Sequence, residues 1–497
     1  MILAPNLRPL LSGNKVLLLL AALVLLASCD LFKPVQTDRP ARPAGDERLD
    51  EIQGRKVYDR TTGTYVIIDN APVESMDTIR WRDVSDKKQV IRSSAVMTAT
   101  EKPVDAPSVL QSKEIEGNIK TEFLSAYNVS VVLPFLSDRF AGPTGPLPPN
   151  SDWALNFYGG VKMALEDLER ENVKLNVSVI DGRETSETAV MQLTRTNTDL
   201  QKAHLIIGPY RRETARILSE MAQRTGAAIL SPYTTATDVA VNNPNYIQVN
   251  PSLRSHCEAI TRHARQRFRP EQIVLVCRDK DQEMERLQFF QDENARLSGG
   301  QNVQRFREYT LADNTEFNNA DMLSLIRLED TTVFIVPSWA NETFIYSLLR
   351  KLDLARRERT SIVVYGMPQW MNYEVIDYDY YERLNVHVSS STYIDLLSSD
   401  VQFFRRRFFD RYGKTPGEEA FLGYDITMYG GKMLKNNGTK FQYALERAPM
   451  QMLHTRFDFE RVVTPTGGRT ENLPIQRFEN KYVNILRFQD YHFRLAD

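Results

Sequence analysis

Leu205-Ile206-Ile207-Gly208-Pro209-Tyr210 and, one helix further on, Ala228-Ile229-Leu230-Ser231-Pro232-Tyr233-Thr234-Thr235 follow one local plan. Each is a short unbroken apolar run, as expected of a strand buried on both faces, closed by a Gly-Pro or Ser-Pro turn. Between them, Arg212 to Thr225 reads as a helix. Strand, helix and strand at this spacing form the repeating unit of a parallel sheet, because parallel neighbours need a long crossover.

The same alternation extends in both directions. Upstream lie strand Val129 to Phe135, amphipathic helix Trp153 to Glu171, strand Leu175 to Ile180, helix Glu184 to Leu200 and strand Ala203 to Ile207. Downstream of strand Ala227 to Leu230 come helix Leu253 to Phe268, strand Gln272 to Cys277, helix Asp281 to Leu297 and strand Val303 to Tyr309. Helix Asn318 to Leu328, strand Thr332 to Val336, helix Asn341 to Leu354 and strand Ser361 to Tyr365 complete the series. Strict alternation predicts an α/β fold of doubly wound parallel sheets, and the run is too long for one open sheet, so two lobes are expected. After Tyr424-Asp425 a helix runs to about Lys435, another covers Lys440 to Glu446, and strands are expected at Thr455 to Val463, Leu473 to Phe478 and Val483 to Phe488, with a turn at Gly467-Gly468. The arginines at 456, 461, 469, 477, 487 and 494 are expected to mark solvated faces of these strands.

Four stretches resemble the type I periplasmic-binding family of leucine-, isoleucine- and valine-binding proteins and their receptor relatives. They are Leu133-Pro134-Phe135 with Phe157-Tyr158-Gly159-Gly160-Val161; the Gly208-Pro209-Tyr210 and Ser231-Pro232-Tyr233 turns; Val336-Pro337-Ser338 with Tyr365-Gly366-Met367-Pro368-Gln369-Trp370; and Tyr412-Gly413-Lys414-Thr415-Pro416 with Phe421-Leu422-Gly423-Tyr424-Asp425. The resemblance is nearest to Bacteroidetes envelope lipoproteins in which such a domain often follows LysM repeats, although no LysM repeat is recognisable here. It implies two lobes joined by three hinge crossovers, closing on a small polar, amino-acid-like ligand, with an ABC permease as the partner of a transport role.

In such sheets ligands sit beyond the carboxyl ends of the strands. The resemblance makes Thr234 and Thr235 hydroxyl donors to a ligand carboxylate, with capping of a following helix as their alternative use. It places Trp339 over the ligand and Gln369 near the family's acidic contact to the ligand ammonium. Tyr210 and Tyr233 complete the candidate ligand-binding set. An amide at 369 compensates an ammonium poorly, and Arg211-Arg212 stands where a small hydroxyl is usual. The loop Ser137 to Asp152 would lie over the cleft as a lid, a docking surface or a plain connector.

The N-terminus carries a different message. Lys15, the apolar run Val16 to Leu25 and then Leu26-Ala27-Ser28-Cys29 resemble a bacterial lipobox. The apolar run falls short of the roughly 20 residues a membrane span needs. The resemblance implies cleavage after Ser28 and lipid attachment at Cys29; each buried methylene contributes about 0.8 kcal/mol, so two or three acyl chains make a stable membrane anchor. The Pro- and charge-rich segment that follows reads as an extended, disordered tether, with short patches at Tyr58 to Ile68 and Ile79 to Trp81 as hairpins or docking elements. The expected division is signal 1–28, tether 29–125, first lobe 126–250 with about 384–425, and second lobe 251–383 with about 426–490.

A net charge of −2 gives no electrostatic reason to expect a nucleic-acid partner. Beyond Cys29 only Cys257 and Cys277 remain, expected as buried thiols, and the six histidines show no metal-ligand spacing. No nucleophile motif or phosphate-binding loop is present, so no enzyme activity and no cofactor are expected. Two functional readings stand. One is a lipid-anchored solute-binding protein or sensor in the periplasm, on the inner or, by preference, the outer membrane. The other is a non-enzymatic scaffold that contacts peptidoglycan synthase machinery through a ligand-free domain. A cleft filled by Tyr210, Tyr233 and Trp339 would favour the scaffold, and an open polar cleft the binder.

Overall fold

The computed structural model describes strands 54–59 and 64–69 and residues 107–496, apart from 116–117, 141, 143–146, 149–150, 184–185, 301–302, 312–322 and 465–472. The signal segment, Cys29, most of the expected tether, most of the proline-rich loop and the Gly467-Gly468 turn lie outside the described residues. The chain falls into two units, Met1–Met97 and Thr98–Asp497. In the first, β1 (Gly54–Asp59) and β2 (Thr64–Asp69) pair as an antiparallel hairpin, so the Tyr58 to Ile68 patch is hairpin rather than featureless tether.

The second unit begins with another hairpin, β3 (Val109–Glu114) and β4 (Lys120–Leu124). This corrects the expectation of disorder as far as residue 125. The segment has little apolar surface of its own. It is ordered by what it meets: Thr121 Oγ1 donates to the Asn437 carbonyl at 2.8 Å, and Glu122 N donates to Thr439 Oγ1 at 3.1 Å.

The first lobe then builds from β5 (Tyr127–Leu133), α1 (Asp152–Arg170), β6 (Leu175–Asp181), α2 (Glu187–Thr196), α3 (Thr198–Gln201), β7 (Leu205–Ile207), α4 (Arg212–Thr225), β8 (Ala228–Ser231) and β9 (Tyr246–Gln248). The second follows with α5 (Leu253–Arg267), β10 (Ile273–Arg278), α6 (Asp281–Leu297), β11 (Arg307–Leu311), β12 (Thr331–Ile335), α7 (Glu342–Ala355), β13 (Ser361–Gly366), α8 (Tyr378–Arg383) and β14 (Val386–Ser390). Central strands such as β7, β8 and β12 are almost wholly buried, which is why they read as unbroken apolar runs.

The chain then returns to the first lobe with α9 (Ser399–Tyr412) and α10 (Glu418–Asn437), a 3-10 segment Gly438–Arg447, the small ladder β15 (Met450–Gln451) and β16 (Arg456–Phe457), and β17 (Phe459–Val463) and β18 (Ile475–Asn480). It ends in the second lobe with β19 (Asn484–Gln489) and β20 (His492–Leu495). Two seven-stranded sheets result, ordered β17-β18-β9-β8-β7-β5-β6 and β11-β10-β12-β13-β14-β19-β20. Pairing is parallel except at β17, β19 and β20. This is the two-lobed type I periplasmic-binding fold, and the lobes are joined by three passages of chain, at 249–252, 391–398 and 481–483.

The expected lobe boundaries shift. Val386–Ser390 belongs to the second sheet, whereas residues 426–437 and 459–480, expected in the second lobe, belong with the first. The reason is one continuous helix. Helix α10 packs along α1 through paired glycines, with ideal Cβ positions on Gly160 and Gly423 falling 1.9 Å from the Ala420 carbonyl oxygen and 2.1 Å from that of Phe157. The helix cannot be divided between lobes at residue 425.

Arg477 corrects the expectation of solvated arginines. It is buried on β18 and donates to Glu479 Oε2 at 2.6 Å. Cys257 and Cys277 are both buried free thiols. Among the described residues, no helix is long and apolar enough to cross a membrane.

Candidate functional site

Parallel strands deliver their carboxyl ends to one edge of each sheet, and the turns that leave β7 and β8 carry Tyr210 and Tyr233. At Gly208 (φ 113°) a Cβ would sit 2.1 Å from the Val132 carbonyl oxygen, so only glycine lets the chain turn this close to β5. The turn brings Tyr210 onto Trp153, in the first turn of α1, with ring centroids 4.3 Å apart. Tyr233 meets Trp153 at 5.1 Å and Tyr210 at 4.8 Å. Three aromatic rings therefore occupy the cleft end of the first lobe. Trp153 was not among the expected residues; an aromatic opening a helix straight after a proline-rich loop was the available signal.

The Tyr233 hydroxyl is buried without a hydrogen-bond partner, and burial, reinforced by nearby Glu419, pushes its pKa far upward. Thr234 and Thr235 do not cap a helix, because β8 leads through an irregular loop into β9. Thr234 Oγ1 instead accepts from Ala236 N at 3.2 Å, and Thr235 is exposed. Arg212 at the start of α4 pairs with Asp238 in that loop.

On the second lobe, Trp339 follows β12, half-buried, and one face is already covered. The Arg286 guanidinium lies 3.5 Å from its ring centroid while Nη1 donates to the Pro337 carbonyl at 3.2 Å. The protein's own cation thus occupies one face of the ring that the resemblance places over the ligand. Beneath it, Ser338 donates to the buried Glu283, which also pairs with Arg278. Burial acts to raise the Glu283 pKa, but the Arg278 and Ser338 hydrogen bonds outweigh it and hold the carboxyl below its ordinary value. Gln369 sits exposed in the 3-10 turn Pro368–Asn372, while its neighbour Trp370 is buried and donates to the Ser338 carbonyl at 2.9 Å. Tyr210 and Tyr233 are therefore joined in one cluster, Trp339 belongs to another, and Gln369 and Thr235 face solvent.

A cavity of about 200 Å³ opens beside Tyr233. Its walls are Val249 to Pro251 of the first passage between lobes, Ser391, Thr392 and Ile394 of the second, the first turn of α10 with Glu418 and Glu419, and His454 with Thr455. His454 is fixed by Asp425, its ring and backbone N–H both bonded to that carboxylate, and its carbonyl accepts from Tyr393 N at 2.7 Å. Thr455 is 4% exposed and its hydroxyl has no partner. Of the expected ligand-binding residues only Tyr233 lines this cavity; its other walls come mostly from interlobe passages and a helix start far apart in sequence, which the strand-to-helix turns do not reveal.

The profile of the family described as "receptor family ligand binding region" matches residues 157–457. The chain belongs to that family.

One solved structure agrees on the fold, and two others are similar to the chain at lower scores. A Rhodospirillum rubrum protein assigned to branched-chain amino acid ABC transport aligns with a TM-score of 0.52 at 14% identity, covering 75% of this chain and 100% of its own. An ABC transporter substrate-binding protein from Desulfitobacterium hafniense in complex with leucine gives 0.45 at 15% identity, with 75% and 100% covered. A leucine-binding protein from Thermotoga maritima gives 0.41 at 14%, with 74% and 97% covered. No curated protein sequence matches the chain.

Proposed function

We propose that this chain is a lipid-anchored, non-enzymatic binding protein of the bacterial envelope that closes two lobes on a small polar ligand. The cavity beside Tyr233 carries the reading: two interlobe passages form its walls, so a ligand held there is coupled to the angle between the lobes. Membership of a ligand-binding family supports the same class. An ABC permease would then be the partner that senses closure, and an acyl group on Cys29 would hold the chain near it. On this reading Tyr233, which lines the cavity, Tyr210, Thr234 and Thr235 would contact the ligand from the first lobe, and Trp339 and Gln369 would close on it from the second.

Calorimetric titration of the chain against amino acids and small metabolites, paired with small-angle scattering, tests this. Saturable binding with a fall in radius of gyration is expected; silence over the panel overturns it.

A specific observation favours the scaffold reading. The Trp153, Tyr210 and Tyr233 rings cluster at the first-lobe end of the cleft, and Arg286 covers one face of Trp339. On that reading the domain contacts cell-wall synthase machinery without a ligand. Affinity capture from envelope extracts separates the two, since a permease and a peptidoglycan synthase are readily told apart.

A further inference from the structure

A second cavity, of about 540 Å³, is bounded by the second and third interlobe passages, by α10 and by the β15–β16 hairpin. Three methionine side chains line it: Met428 from α10, and Met450 and Met452 from the hairpin.

The backbone explains why they meet. Met450 pairs with Phe457 and Gln451 with Arg456, and the Met452 N–H donates to the Thr455 carbonyl at 2.9 Å. Alternation along this strand puts Met450 and Met452 on one face, shared with Phe457, while Gln451 points the other way. Phe457 is buried against Tyr429 of α10, ring centroids 5.1 Å apart, so the shared face is turned towards that helix. On α10, Asp425, Met428 and Lys432 follow one another at helical spacing and all line the cavity. Met452 also packs against the small core cluster that contains Met428. Thioethers from two elements therefore converge on one space.

Methionine often fills irregular gaps in a core, and Met428, 5% exposed, would serve that purpose. Met450 and Met452 are only half-buried at the open cavity, where leucine would cover the same surface. The wall around them is acidic. Asp395 and Asp400 join Asp425 there, and among the described residues neither of the first two takes part in an ion pair, while the lining's one cation, Lys432, is paired with Glu171 at 3.1 Å. The His, Cys, Asp and Glu side chains among the described residues form no group of three that could hold a metal ion, so a hard divalent ion has no donor set here. Thioether sulfur is a soft donor and selects soft monovalent metals.

We infer that Met428, Met450 and Met452 form a thioether site for a soft monovalent metal ion, Cu(I) or Ag(I), with the aspartates of the cavity wall offsetting its charge. The site shares no sulfur ligand with the cavity beside Tyr233 and stands independently of the ligand-binding reading. Because Tyr393 and Tyr482, from two interlobe passages, line the same space, an ion held there lies next to the hinge.

Anaerobic titration of the full chain with Cu(I) held by the chromophoric chelator bicinchoninate tests this. The native chain should withdraw one more Cu(I) than a chain carrying Met428→Leu, Met450→Leu and Met452→Leu together. Leucine and methionine are close in volume, so the variant should keep the native thermal midpoint in the absence of metal. Met450→Leu with Met452→Leu should by itself weaken Cu(I) at least tenfold; this half-buried pair keeps the test intact if the triple variant folds poorly. In a chain labelled with carbon-13 at its methionine methyl groups, Ag(I) should move the three signals that the leucine substitutions remove and leave the others in place. Equal Cu(I) uptake by the native chain and the leucine variants, shifts confined to other methionines, or no uptake at all overturns the inference. Zn(II) moving the same three signals overturns the assignment to a soft ion.

Discussion

Glu479 Oε1 accepts a hydrogen bond from Ser252 Oγ at 2.6 Å, and this contact fastens the strand that leads into the third passage between the lobes to the first passage. Ser252 caps α5 immediately after the chain leaves the first lobe, and Glu479 sits on β18 just before the chain leaves it again. Ser255 Oγ at 2.6 Å, Lys481 Nζ at 2.9 Å and Arg477 Nη2 at 2.6 Å complete the shell around this fully buried carboxylate. Glu479→Gln strands Arg477 and Lys481 without their counter-charge and should destabilise the chain by about 3–5 kcal/mol in urea denaturation. A change below about 1 kcal/mol would show that the passages are held by something else.

The same carboxylate sets an acid limit. Burial alone would raise its pKa, but the charges of Lys481 and Arg477 and the serine hydroxyls outweigh burial and lower it from 4.5 to about 2. A depressed carboxyl contributes stability that is complete above the unfolded value and lost as pH falls from 4.5 towards 2. The thermal midpoint of the native chain should fall steeply across that window, and Glu479→Gln should flatten the fall.

A separate loss is expected at higher pH. Burial lowers the pKa of His256 and of His387 from 6.5 to about 4, and His256 Nδ1 pairs with Ser389 Oγ at 3.0 Å across α5 and β14. Both are neutral in the fold and take up protons on unfolding. Their stabilisation is complete above pH 6.5 and declines as pH falls towards 4, by up to about 1.4 kcal/mol per pH unit for each. His256→Asn should reduce the slope of stability against pH in that interval while leaving the slope below pH 4 alone.

The contact between α1 and α10 leaves no space for a methyl group. Gly160→Ala and Gly423→Ala should each destabilise the first lobe by about 1–3 kcal/mol or more, read as a lower urea midpoint. Unchanged midpoints would mean that the two helices can separate at no cost.

Cys257 and Cys277 give a chemical count. Burial raises both thiols, that of Cys277 to about 11, and neither is accessible in the fold. Both should resist an aromatic disulfide reagent at pH 8 in the native chain and react in denaturant. Protein isolated from its own membrane should then titrate two thiols; a third would be Cys29 and would overturn the proposed acylation.

Most of the α/β framework was legible because buried parallel strands announce themselves as apolar runs, as in Leu205–Ile207 and Thr331–Ile335. Helices α4 and α6 were readable to the residue, their apolar faces set by contact with the sheets. What escaped depended on distant partners. The three-residue β9 has too few residues to show a period, and β4 owes its order to a helix end more than three hundred residues away. At the site, the turns bearing Tyr210, Tyr233 and Trp339 were legible from their glycines and prolines. The Arg286 cover on Trp339 was not, since nothing in α6 indicates which ring its arginine will face. The hinge-side cavity was hidden for the same reason, its carboxylates reading as an ordinary acidic helix start.

The clasp of β4 on the end of α10 defines a load path. Any pull along the N-terminal segment enters the body through Thr121 and Glu122 and is borne by the backbone at Asn437 and the side chain of Thr439, both in the first lobe. The second lobe takes no part in these two contacts. A chain moored at its N-terminus would have one lobe acting as the anchor post and the other left free to swing.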